Sequence, residues 1–103
     1  MLKLELRHID AIISSGLAGD LSPNISEDER YDLALDALSN DAPVVSSKEA
    51  EQDKGAYSVV IRGVPGAYFV QANEYDDAGV FDSLDEAESY MWLNFGEFIV
   101  DND

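Results

Sequence analysis

Asp28, Asp32 and Asp36 recur every fourth residue. On a helix that spacing puts successive carboxylates about 6 Å apart on one side. A row of anions of this kind suits a cationic groove. It does not suit the helix itself, because like charges four residues apart cost roughly 0.2–0.5 kcal/mol per pair and only Arg30 lies nearby to offset them. Other acids have a simpler explanation. Glu27, Asp28 and Glu29 open one predicted helix and Asp85 and Glu86 open another, where each complements the helix dipole by about 0.3–1 kcal/mol. Asp41 and Asp82 read as turn residues. A second cluster gathers Glu74, Asp76, Asp77 and Asp82 around the loop that leaves a predicted hairpin, with Asp85 and Glu88 one turn apart on the helix that follows. The sequence leaves open whether the two clusters share one surface.

Catalytic chemistry finds little support. His8 is the only histidine and cysteine is absent, so disulfides, a cysteine zinc site and a Cys–His pair are all excluded. The position of His8 beside Ile9 points to a surface or boundary residue of the first helix. Gly63-Val64-Pro65-Gly66 reads as a turn and not as a phosphate cradle. Carboxylate pairs are so abundant that choosing two as acid and base carries no information. Glu74, Asp76, Gly79, Asp82 and Asp85 do fall on a calcium-loop frame. Against calcium stand Ala78 at its fifth position, Asp85 in place of the closing Glu, and a strand leading in. No catalytic residue, metal ligand or cofactor is expected.

The balance of charge narrows the partners. The chain carries 22 Asp and Glu against 6 Lys and Arg, a formal charge of −16, and no Lys or Arg occurs after Arg62. Such a surface repels nucleic acids and anionic membranes and attracts basic proteins. With 46% hydrophobic residues the 103-residue chain can still build one core, as a disordered acidic tail cannot. No apolar run approaches a membrane span, and Met1 to Leu6 lack the pattern of a secretory signal. A cytoplasmic protein, in a host bacterial cytosol, is the expectation. Halophilic adaptation would give a similar composition.

These residues need elements to hold them. Leu2, Leu6, Ile9, Ile13 and Leu17 predict a first helix that stops at Gly16 and Gly19, although Leu2, Leu4 and Leu6 also alternate like a strand. Ser26 and Glu29 form a capping box for a second helix through Leu38 that ends by Asn40. Residues 41–56 lack periodicity and read as an exposed connector, with at most a short extended piece at Val44-Val45. Tyr57–Arg62 and Ala67–Asn73 predict a hairpin closed by a type II turn at Pro65-Gly66, with Val80-Phe81 as a partial third strand. Ser83 and Glu86 start a last helix whose inner face carries Ala87, Met91 and Phe95. Trp92 is expected near the core; Tyr68 and Tyr75 could serve as interface anchors beside the acidic loop, but ordinary packing is the favoured reading for each. The fold class is α+β in a single domain, with a helical part over 1–40 and a ββ(β)α part over 57–103.

In size, charge and fold class the chain resembles the small acidic inhibitors of phages and mobile elements, anti-CRISPR proteins and other DNA mimics among them. The resemblance implies a stoichiometric inhibitor whose acids face lysines and arginines of a nucleic-acid-binding defence complex. Asp28, Asp32, Asp36, Glu74, Asp76, Asp77, Asp82, Asp85 and Glu88 would make that contact. A more local phrase, Gly55–Gly66 followed by Phe81–Glu88, is similar to the HicB-type antitoxins, in which a strand ends in Pro-Gly and a Ser-Leu-x-Glu-Ala phrase opens a helix. That alternative implies an antitoxin or immunity protein that plugs a toxin's active site.

Overall fold

The computed structural model describes residues 2–52, 55–72 and 79–100. Along the chain lie α1 (Leu6–Ser14), α2 (Glu27–Asp41), β1 (Val44–Gln52), β2 (Gly55–Val64), β3 (Ala67–Ala72) and α3 (Leu84–Phe95). The fold is α+β: two N-terminal helices, an antiparallel meander ordered β1-β2-β3, and a C-terminal helix.

The hairpin forms where the β-branched and aromatic residues predict it. β2 and β3 pair from Val59↔Ala72 to Val64↔Ala67, and Gly66 takes the positive φ of 93° that the third position of a type II turn requires. Both faces of this hairpin are buried. Val59, Ile61, Val70 and Ala72 point to one side, where Ala87 and Met91 of α3 cover them. Val64, Ala67 and Phe69 point to the other, against Ile9 and Ile12 of α1 and Ala34 and Leu38 of α2. Neighbouring side chains on a strand project oppositely, so the α1–α2 pair and α3 occupy opposite faces of the sheet.

Three expectations need correction. The first helix does not begin at Leu2 but after Glu5, and the residues before it form neither the predicted helix nor the competing strand. Leu2 and Leu4 are both buried, the Leu4 N–H donates to the Tyr31 hydroxyl, and Leu6 is 73% exposed. The buried stripe of α1 is therefore His8, Ile9 and Ile12. Residues 41–56 are not a connector, since most of them form β1. Its register with β2 runs from Val44↔Arg62 to Gln52↔Gly55, broken by a bulge between Val44 and Ser46. Backbone hydrogen bonds hold an edge strand whose Ser47, Lys48, Glu49 and Glu51 face solvent, so no hydrophobic period marks it. Lastly, Val80-Phe81 is not the third strand. Phe81 makes one isolated bridge to Tyr68 on the outer edge of β3.

The opposite edge is likewise covered over part of its length. Phe98–Val100 lie antiparallel to β1, with the Glu51 N–H donating to the Phe98 carbonyl and the Val100 N–H to that of Glu49, both at 2.8 Å. α3 thus crosses one face of the sheet from the β3 edge to the β1 edge. Gly63 lets β2 and β3 close tightly: at φ 149° any Cβ there would sit 2.6 Å from the Tyr68 Cα. Gly63→Ala is expected to destabilise the protein by more than about 1 kcal/mol, read as a lower urea midpoint with an unchanged slope.

Candidate functional site

α2 exists as a helix because Ser26 caps it, its side chain accepting from the Glu29 N–H at 3.2 Å, and because Ala34, Ala37 and Leu38 anchor its inner side. At its far end the backbone carbonyls of Ser39 and Ala42 accept from Arg62 on β2, at 3.1 and 3.0 Å. The helix offers no cation in its own last turn, so the sheet provides one where the dipole is negative. Between these fixings Asp28, Asp32 and Asp36 are all exposed. Arg30 does not offset them; its guanidinium lies 3.6 Å from Asp10 of α1. Asp36 accepts one bond, from the Asn40 side-chain amide at 2.7 Å. Among the described residues no cation pairs with this row.

The second cluster behaves differently. Ser83 caps α3, its hydroxyl accepting from the Glu86 N–H, while Glu86 reaches back to accept from the Asp82 N–H at 3.1 Å. The Asp82 carboxylate points back toward α1. Its Oδ1 accepts from Arg7 Nε at 2.8 Å and from His8 Nε2 at 2.7 Å. Arg7 also pairs with Glu5. His8 is only 2% exposed, so it is a buried link and not the surface or boundary residue its neighbours suggest. Its tautomer follows from the Glu5 N–H, which donates to Nδ1 at 3.1 Å and leaves the ring proton on Nε2 for Asp82. Both ring nitrogens are occupied by protein groups, and neither is offered to a substrate.

Asp82 is thus already engaged by cationic and imidazole donors, whereas Asp85 is exposed and Glu88 half-buried. Glu74, Asp76 and Asp77 lie outside the described residues, as do Tyr75 and part of the calcium-loop frame. Because α2 and α3 cover opposite faces, the Asp28–Asp36 row and the α3 acids do not merge into one helical surface. Among the described residues no group of three or more acidic or histidine side chains is arranged to hold a metal. No helix among them is long and apolar enough to cross a membrane.

Tyr68 packs partly buried against the α3-side core, in line with ordinary packing, whereas the expectation for Trp92 changes. Trp92 is 48% exposed and Leu93 86% exposed, because Ala87 and Met91 define the inner stripe of α3 and the next two residues lie about 100° and about 200° further round the helix. The Met91-Trp92-Leu93 run holds more apolar residues than one helical stripe can bury, a signal already present in the sequence.

The hydrogen bonds from Arg7 and then His8 hold the Asp82 carboxyl below its ordinary value, against a smaller opposing effect of desolvation. A depressed folded-state value adds stability above the unfolded carboxylate pKa, near 4, that is lost as pH falls through the folded value. Asp82→Asn is therefore expected to be less stable than the parent at neutral pH. The gap should close below about pH 4, as followed by urea unfolding at each pH.

No protein-family model, curated protein or solved structure matches this chain, and its own geometry is the ground for any reading of what it does.

Proposed function

We propose that the protein is an inhibitor that acts by acidic mimicry of nucleic acid, occupying a positively charged groove of a CRISPR effector or another nucleic-acid-binding defence complex. The observation that carries this reading is the Asp28–Asp32–Asp36 row, exposed along one capped helix with no cation paired to it among the described residues. Duplex DNA presents one negative charge per ~1.7 Å of its axis, and a groove shaped for that line attracts anions held in a fixed row. α2 holds them well, being capped at one end by Ser26 and tied at the other by Arg62. The protein acts by binding and not by turnover, and it competes with nucleic acid instead of binding it.

The opposite placement of the helices narrows the contact. A single groove meets the α2 side, and Asp82 contributes to the fold through Arg7 and His8 and not to the partner. Association of this kind is fast and falls steeply with salt.

The test is a panel of purified CRISPR effector complexes assayed for DNA binding with and without the protein. At least one effector is expected to lose DNA binding, and excess duplex should restore it by displacing the protein. The double substitution Asp32→Lys with Asp36→Lys should weaken inhibition by roughly tenfold or more. The same change relieves repulsion along α2 and leaves the urea midpoint equal or slightly higher. If no effector is inhibited, or if the reversals leave inhibition unmoved, the α2 row is not the contact.

A further inference from the structure

The outer side of α3 carries a mixed feature that the α2 row does not explain. A cleft of about 510 Å³ lies beside its first two turns, walled by Val80 and Phe81 and rimmed by Asp82, Asp85, Glu86 and Ser89. Arg7 also reaches this rim, but its guanidinium is held by Asp82 and Glu5. Asp85 is exposed with no cation paired to it among the described residues. One turn beyond Ser89 come Trp92 and Leu93, together the largest break in an otherwise polar outer helix side. Two turns of helix separate Asp85 and Glu86 from Trp92 and Leu93, about 10 Å along the axis.

We infer that this stripe is a second protein-docking surface, on the face of the sheet opposite α2, for a segment that pairs a lysine or arginine with a large apolar side chain two helical turns away. The basic side chain lays its aliphatic stem along Val80 and Phe81 and brings its charge to Asp85 and Glu86. The apolar side chain covers Leu93 and the open side of Trp92, the residue type most enriched at binding hot spots. Charge selects the occupant. A second copy of this chain brings another −16 and no Lys or Arg after Arg62, so a basic partner is favoured over self-association. The inference stands apart from the α2 row and survives its failure.

Trp92 is the only tryptophan, so its emission reports on this stripe alone. The full chain is titrated with a synthetic amphipathic helical peptide built of lysine and leucine, and separately with a lysine homopolymer of equal charge. The expected result is a blue shift of the emission with the amphipathic peptide, and none with the homopolymer. Leu93→Asp should weaken that binding by roughly tenfold or more, and Asp85→Lys should also weaken it. The paired reversal of Asp32 and Asp36 should leave it unchanged, which separates this surface from the α2 row. Leu93 is too exposed for its substitution to unfold the chain, and an unaltered circular dichroism melt checks this. Absence of a blue shift, indifference to Leu93→Asp, or sedimentation of the free protein as a dimer that Leu93→Asp dissolves would each overturn the proposal.

Discussion

The β2–β3 hairpin is buried on both of its faces, and that constraint decides on which side each helix displays its charges. Val59, Ile61 and Val70 need α3 over them, and Val64, Ala67 and Phe69 need the α1–α2 pair. Full burial of such side chains stabilises by about 1.5–3 kcal/mol each, which is the favourable term available against the self-repulsion of a −16 chain. Among the described residues no carboxylate enters either core, and the acids fall on the outward sides of the helices, on β1 and in the loops. Helices on opposite faces then display their acids in opposite directions.

The three arginines each connect two elements. Arg7 joins α1 to the start of α3 through Asp82, Arg30 lies between α2 and Asp10 of α1, and Arg62 joins β2 to the end of α2 while its guanidinium sits 5.6 Å from the Phe69 ring centre. The exposed Arg30–Asp10 pair contributes little by itself. Arg62 matters more: it is half-buried, fork-shaped and hydrogen-bonded to two carbonyls that α2 leaves unsatisfied. Because the arginines serve these junctions, the α2 row is left without a cation among the described residues. Packing and display are thus two sides of the same allocation of few positive charges.

Much of this was legible in the sequence where local chemistry decides structure. Ser26 with Glu29 and Ser83 with Glu86 mark helix starts through hydrogen bonds a few residues long, and Pro65-Gly66 marks a turn by dihedral restriction. β1 was not legible, because an edge strand held by backbone pairing leaves Ser47, Lys48, Glu49 and Glu51 exposed without a period. The His8–Asp82 link was hidden for a related reason: its partners stand far apart in the chain and meet only once α1 and the α3 cap converge at the β3 edge. The exposure of Asp28, Asp32 and Asp36 followed from helical spacing. Their separation from Asp85 and Glu88 did not, since which face a helix covers depends on the alternate residues of a hairpin some distance away.

The pairing of Phe98–Val100 along β1 bears on how the protein keeps to itself. Those residues cover the strand only around Glu49–Glu51, while Val44 and Val45 at its other end are 55% and 44% exposed. Such an edge is a template for intermolecular sheet growth. At neutral pH mutual repulsion between anionic copies is a second barrier, but protonation of the carboxylates in acid removes it. The short Phe98–Val100 pairing then remains as a partial barrier between a dispersed protein and a fibrous one.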